Sequence, residues 1–310
     1  MKAEGGPKQI AVIKLGALGD VVQALGPMQA IRTHHPLDRI TLVTTPPYAA
    51  FLRASGLFDA VWEDGRVRTL GAFLRFAARW RRARFDRVYD LQTSSRSSSY
   101  LWLLWPQHPQ WSGVAFLSSH PHANPGRVAM HTVDRQAEQL AMAGIPATPS
   151  ADLSFAKADL TGLALPPRYA VLVPGGSAHR PAKRWPVAQF GALARWLSAQ
   201  GVTPVIIGAG AERALAEAIR LQAPEAIDLT DRTDLMAIAA LGRGATLAIG
   251  NDTGPMHLLA AAGAPSLVLF SAESDPARCA PRGKSVSVLQ VADLSSLSLD
   301  KVTAEIVLPR

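Results

Sequence analysis

Cysteine is almost missing from this chain: Cys279 is the only one in 310 residues. A lone thiol excludes an intrachain disulfide framework and any zinc site built from several cysteines. Charge is also scarce, at 18% of residues against 48% hydrophobic. That balance excludes global disorder and suits a chain that buries a large core. No run of about 18 uninterrupted apolar residues occurs, so no membrane span is expected. The first apolar stretch, Ile10–Leu15, is broken by Lys14, and the polar segment Met1–Lys8 does not read as a secretory leader. These features lead us to expect a cytoplasmic location, with any membrane contact peripheral. Several catalytic signatures are missing as well: G-x-x-x-x-G-K-[ST], H-E-x-x-H, G-x-S-x-G and the divalent-metal pair D-x-D.

What is present is basic and rich in turns. The formal charge is +8, with 24 glycines and 23 prolines. The excess lies in one half: residues 1–150 hold 17 Lys and Arg against 10 Asp and Glu, and residues 151–310 hold 15 against 14. A basic half and a nearly neutral half are expected to meet different ligands, at least one of them anionic.

Short apolar runs alternate with amphipathic stretches. Strands are expected at Ile10–Leu15, Arg39–Thr44 and Arg87–Leu91. Helices are expected near Val21–Ile31, Tyr48–Ala54, Thr69–Arg84, Ser95–Leu104 and Thr132–Ala143. Pro27 should delay or kink the first of them. Residues 144–168 carry Gly144, Pro146, Pro149, Pro166 and Pro167 without a period, and read as a linker. A second series follows, with strands at Tyr169–Val173, Val202–Ile207, Ala226–Leu229, Ala245–Ile249 and Ser266–Phe270. Helices lie between them, and a last one is expected near 299–306. The pattern predicts two doubly wound α/β domains, 1–160 and 161–310, with ligands at the carboxyl edges of their sheets.

Four features carry candidate chemistry. Lys14-Leu15-Gly16-Ala17-Leu18-Gly19-Asp20 joins the first strand to its helix. Asp20 reads either as an N-cap or as a carboxylate held out as a general base. Residues 174–186 hold Gly175 and Gly176 for close backbone approach, then Lys183 and Arg184 for an anion such as a diphosphate. A solvated basic loop is the plain alternative. Gly250-Asn251-Asp252-Thr253-Gly254-Pro255-Met256-His257 follows a strand, and its helix start would aim N–H groups at an anion. The plain alternative is a capped helix with a packed histidine. Finally, Arg66, Arg68, Arg75, Arg79, Arg81, Arg82, Arg84 and Arg87 interleave with Leu70, Phe73, Leu74, Ala77 and Trp80. They form either a solvated helix face or a platform for phosphates. Trp102 and Trp105 are expected in the core, or as interfacial anchors if exposed.

Together these loops resemble glycosyltransferase family 9, the heptosyltransferases of the lipopolysaccharide core. The resemblance spans nearly the whole chain. It rests on KLGALGD at 14–20, FDRVYDLQTSSRS at 85–97, PGG…AKRWP at 174–186 and DLTDRTDLMAIAALGRGATLAIGNDTGPMHLLAAAGAP at 228–265. It implies a GT-B fold, with two Rossmann-like domains facing across a cleft. The first would bind an anionic lipopolysaccharide precursor, Kdo–lipid A or a heptosylated core. The second would bind ADP-heptose, and transfer would be inverting and metal-independent, with no cofactor. Asp20 falls on the family's catalytic aspartate and Lys183 on its diphosphate lysine. Asp252, Thr253, Gly254 and His257 fall on the donor motif. Thr233, Glu212 and Gly175 border the donor, while Gly19, Arg96, Arg66 and Arg68 fall on the acceptor side. Two stretches depart from the family pattern: the insert at 177–180, and FSAESDPARCAP at 270–281 in place of a glycine-proline-threonine turn.

Two other classes make different demands on the residues. A nicotinamide-dependent oxidoreductase would bind its dinucleotide through Gly208 and Gly210, but Arg213 stands where the third fingerprint glycine belongs. A basic membrane- or nucleic-acid-binding module would use the arginine helix and show strongly salt-dependent binding.

Overall fold

The computed structural model describes residues 6–64, 69–176 and 180–308. The chain forms two compact units, Met1–Ala151 and Asp152–Arg310, divided inside the proline-rich stretch 144–168.

In the first unit the order is β1 (Gln9–Lys14), α1 (Leu18–Gln23), α2 (Leu25–His34), β2 (Arg39–Thr44), α3 (Pro46–Ala54), β3 (Ala60–Glu63) and α4 (Leu70–Arg82). β4 (Arg87–Asp90), α5 (Ser95–Trp102), β5 (Gln110–Gly113), β6 (His120–Pro121) and α6 (Thr132–Met142) follow. The sheet runs β3-β2-β1-β4-β5-β6 and every neighbouring pair is parallel. A central parallel strand is covered on both faces, which is why β1 is a continuous apolar run. Its Ile10, Ala11, Val12 and Ile13 are fully buried. The helix expected across Pro27 is two helices, because α1 ends before Ala24 and α2 begins at Leu25. Pro27 thus sits in a first turn, where its missing N–H breaks no helical bond.

α4 is held by its aromatic face. Phe76 and Trp80 stack at 5.9 Å between centroids, and Trp80 Nε1 donates to the Tyr100 carbonyl at 3.0 Å. Leu70, Phe73 and Leu74, at i, i+3 and i+4, lie on the outer side and stay exposed. Trp102 and Trp105, expected in the core, are 52% and 58% exposed. Trp80, Phe85, Tyr100 and Trp111 fill that space instead.

The second unit contains β7 (Tyr169–Val173), α7 (Val187–Ala199), β8 (Thr203–Ile206), α8 (Arg213–Gln222), β9 (Ile227–Asp228), α9 (Leu235–Gly244) and β10 (Leu247–Asn251). α10 (Gly254–Ala261), β11 (Ser266–Phe270), α11 (Pro276–Cys279), β12 (Val286–Gln290) and α12 (Leu299–Ala304) complete it. Its parallel sheet runs β12-β11-β10-β7-β8-β9. Counted from β7, this repeats the winding of the first unit, the order of the dinucleotide-binding fold. Trp185 and Phe190 meet edge to face at 5.0 Å in its core. α12 packs on α7 and buries Val302 in that same core.

Both windings reverse at a defined point, between β1 and β4 in one unit and between β7 and β10 in the other. Strand ends diverge there and leave room for a ligand. The loops after β1, β7 and β10 are those that the sequence marked for chemistry.

Candidate functional site

At the first switch point, the loop after β1 curls back on itself. A Cβ on Gly16 would lie 2.6 Å from both Cβ and Oδ2 of Asp20, so only glycine admits the fold of that aspartate over the loop. Asp20 stands in the first turn of α1, whereas the N-cap is Ala17 and no side chain caps the helix. The capping alternative for Asp20 therefore fails. Its carboxylate is exposed and makes no hydrogen bond among the described residues. Gly19 precedes it in the same turn.

Beneath this loop lies a buried charge cluster that the sequence reading did not single out. Lys14, the last residue of β1, is 3% exposed, and its Nζ donates to the Leu91 carbonyl at 3.3 Å. Burial pulls the ammonium below its ordinary range; the Asp20 and Asp90 carboxylates oppose that shift, and Arg135 adds to it. Asp90, at the end of β4, is fully buried. Its Oδ1 accepts from the Gln92 and Thr93 backbone N–H groups at 3.1 and 2.9 Å, while its Oδ2 has no partner among the described residues. Burial pushes this carboxyl up to about 6, against the hydrogen bonds and the nearby Lys14 charge. Gln92 closes the floor by accepting from Leu15 N at 2.8 Å.

Arg96 is committed elsewhere. Its Nη2 donates to Asp64 Oδ1 at 2.5 Å and its Nε to the Tyr100 hydroxyl at 2.9 Å, and that hydroxyl donates to Asp64 Oδ2. Asp64 is buried, so the guanidinium compensates a carboxylate that would otherwise be stranded. Arg66 and Arg68 lie outside the described residues.

At the second switch point the residues that the resemblance placed at the donor converge. Lys183 Nζ meets Asp252 Oδ2 at 2.7 Å, with the two side chains 14% and 9% exposed. Ser274 Oγ donates to the same Oδ2 at 2.7 Å. Asn251, fully buried at the end of β10, ties the two loops together. Its Nδ2 donates to the Pro174 and Gly175 carbonyls at 2.9 and 3.0 Å, and its Oδ1 accepts from Trp185 N at 2.9 Å. Arg184 Nη2 donates to the Gly176 carbonyl at 2.5 Å. The N-terminus of α10 opens beside them. Thr253 is its extended N-cap residue, yet its hydroxyl caps nothing and is buried without a partner among the described residues. Gly254 is the first helical residue, and His257 is buried within the helix. A cationic lysine, the Gly254 N–H at the positive end of α10 and the Thr253 hydroxyl form a receptor for an anion with several oxygens.

Glu212 borders this receptor. A Cβ on Gly175 would sit 1.7 Å from Glu212 Oε1, so the glycine is required for the carboxylate to lie against the loop. Glu212 Oε2 accepts from Ala209 N at 2.8 Å. Thr233 lies half-buried between β9 and α9, beside Asp234, which caps α9 by accepting from Ala237 N at 2.8 Å. Gly208 and Gly210, the glycines of the oxidoreductase alternative, face the carboxylates of Glu212 and Asp231. Cys279 closes α11, with its Sγ donating to the Asp275 carbonyl at 3.2 Å. Burial and the nearby Asp252 charge push its thiol up to about 11. Ser177, Ala178 and His179 of the insert lie outside the described residues. Among the described residues, no cluster of three or more His, Cys, Asp or Glu side chains could hold a metal ion, and no helix is long and apolar enough to cross a membrane.

Residues 73–305 match the family described as glycosyltransferase family 9 (heptosyltransferase). The chain belongs to glycosyltransferase family 9. Lipooligosaccharide heptosyltransferase 2 of Haemophilus influenzae is 32% identical over 104 residues, which is 32% of this chain and 30% of that protein. The chain thus spans about a third of that curated relative. A family 9 glycosyltransferase structure from Veillonella parvula superposes with a TM-score of 0.81 at 19% identity, covering 96% of each chain. The Escherichia coli heptosyltransferase WaaC, solved with ADP-2-deoxy-2-fluoro heptose, gives 0.75 at 21% identity, over 96% of this chain and 98% of that one. The fold is the GT-B fold of these family 9 enzymes.

Lys14, Asp90 and Gln92 at the first switch point, and Asn251 and Ser274 at the second, were not singled out from the sequence as candidate site residues. Asn251 stood inside a quoted motif, and Ser274 inside the stretch that departs from the family pattern. Lys14 stood inside the quoted motif at 14–20, Asp90 and Gln92 inside that at 85–97, and the signal that marks Lys14 and Asp90 is a charged residue closing an apolar strand.

Proposed function

We propose that this chain is an inverting, metal-independent heptosyltransferase that moves heptose from ADP-heptose to the lipopolysaccharide inner core. The observation that carries the reading is the anion receptor at the second switch point. Lys183, the N-terminus of α10 and the buried Thr253 hydroxyl, which has no partner among the described residues, gather in a chain of family 9. They suit a nucleotide diphosphate, and the leaving ADP gains negative charge in the transition state. The lysine and the helix terminus supply the neutralising charge that a metal ion would otherwise bring.

In this reading the acceptor hydroxyl attacks the anomeric carbon as the bond to the diphosphate breaks. Asp20 takes the hydroxyl proton. It is exposed and makes no hydrogen bond among the described residues, which leaves its oxygens available. The sugar passes through an oxocarbenium-like state, by analogy with glycoside hydrolysis, and one displacement inverts the anomeric centre. The acceptor is Kdo–lipid A or a heptosylated core, drawn by the basic balance of residues 1–150. The exposed Leu70, Phe73 and Leu74 of α4, beside Arg75, support a peripheral location on the cytoplasmic face of the inner membrane.

The test is incubation with ADP-heptose and heptose-free Kdo–lipid A in EDTA, read by mass spectrometry. The wild type is expected to form a heptose adduct, and Asp20→Asn to lower turnover by about 10²- to 10⁴-fold. Unchanged turnover in Asp20→Asn sinks the base assignment. No adduct and no ADP binding sinks the whole reading.

A further inference from the structure

We propose that Ser274 is a positioning residue for the donor's diphosphate: through Asp252 it holds the Lys183 ammonium beside the N-terminus of α10. This rests on the donor site proposed above and names a residue that neither the fold nor the family motif assigns.

The geometry points one way. Asp252 Oδ2 accepts two hydrogen bonds of 2.7 Å, one from Lys183 Nζ and one from Ser274 Oγ. Its backbone is fixed as well, since Asp252 N donates to the Leu269 carbonyl at 3.1 Å. The aspartate is therefore anchored from two segments, β11 and the turn that follows it. Lys183 is anchored only within its own turn, where its N–H donates to the Arg180 carbonyl at 3.1 Å. It closes a short 3-10 turn, Pro181–Lys183, and its one side-chain partner among the described residues is Asp252. A lysine stem of four methylenes loses much rotamer freedom when its ammonium is held at one place. Holding it before the donor arrives moves that loss out of the binding step.

Ser274 is itself well placed. Its backbone N–H donates to the Ser271 carbonyl at 3.3 Å, and its carbonyl accepts from Gln290 Nε2 at 3.4 Å. The next residue, Asp275, caps α11 by accepting from Ala277 N at 2.9 Å. The hydroxyl is thus set between β11 and a capped helix. With Oδ2 occupied twice and no hydrogen bond to Oδ1 among the described residues, Oδ1 of Asp252 is left for a hydroxyl of the donor. When the diphosphate enters, the ammonium turns to it and Ser274 keeps the buried carboxylate from being stranded.

The test is calorimetric titration of the full chain with ADP and, separately, with adenosine. Ser274→Ala is expected to weaken ADP about five- to tenfold and adenosine by less than about twofold, because Lys183 acts on the phosphates alone. Ser274→Thr is expected to restore ADP affinity to within about twofold. Ser274→Cys, close in shape but a weak donor, should behave as Ala and serves if the Ala variant folds poorly. In a Lys183→Ala background, Ser274→Ala should cost less than about twofold more, since no ammonium remains to be held. Equal loss for ADP and adenosine, or the same factor in both backgrounds, overturns the proposal while leaving the donor site standing. A wild type that binds no ADP overturns both.

Discussion

Asp90 shows how much one buried carboxyl can set the pH response of the fold. Desolvation dominates over its two backbone hydrogen bonds and the Lys14 charge, and raises it from 3.8 to about 6. Between those values the folded chain binds a proton that the unfolded chain has released. The stability contributed by this group is therefore full below about 4 and lost as pH rises through about 6. Asp90→Asn keeps the Oδ1 acceptor for Gln92 and Thr93 and removes the charge. The variant is expected to melt a few degrees above the wild type near pH 8, with the gap closing near pH 4. Circular dichroism melts across that range check this; a gap of constant size refutes it. At the same scale, Gly16 and Gly175 each exist to let a carboxylate lie against backbone, and both carboxylates border the candidate chemistry.

Helix α4 has two unlike faces, one packed and one exposed. Trp80 is fully buried against Phe85 and Tyr100, and its truncation should cost about 3–5 kcal/mol. The opposite face needs no such packing. The paired change Phe73→Ser and Leu74→Ser is expected to leave the melting temperature within about a degree. It should lower binding to phosphatidylglycerol-containing vesicles about tenfold or more, read by co-sedimentation. Equal vesicle binding by the two proteins would remove this helix from the membrane surface. The arginine run did not announce this division, because sequence spacing alone gives a stripe without saying which stripe meets the core. Arg79 in fact lies over the Trp62 ring at 3.9 Å, and Arg81 donates to the Trp105 carbonyl. The central strands were easy to read for the opposite reason: Arg39–Thr44, Tyr169–Val173 and Ser266–Phe270 appear with the bounds the apolar runs predict. β3, β5, β6 and β12 escaped notice because they are short or lie at sheet edges. In β12, half-buried and exposed residues replace the apolar run of a central strand. The site was legible in its loops, through Lys183 and the Asp252–His257 motif. It was not legible in its supports, since the Ser274–Asp252 contact joins residues 22 apart in sequence.

Two units with separate cores, built on the same strand order, give the molecule two sheets, and the proposed function assigns donor and acceptor to different ones. Hydrogen exchange should therefore report donor binding on one unit only. ADP is expected to protect residues 174–176, 183–185, 252–257 and 271–275, and to leave residues 9–64 unchanged. Protection of the loop around Asp20 by ADP alone would contradict the division of labour. The charge asymmetry of the sequence already separated the halves, but a net charge does not say where along a sheet edge an anion binds. The chain also offers the spectroscopist something it was not built for. With one thiol in the whole protein, and that thiol closing the helix that Asp275 caps, a dye or spin label attached at Cys279 reports from a single address beside the Lys183–Asp252 pair. Because the thiol stays protonated at neutral pH, attachment should be slow there and quick only in alkali, so the rate of labelling becomes a gauge of the charge around it.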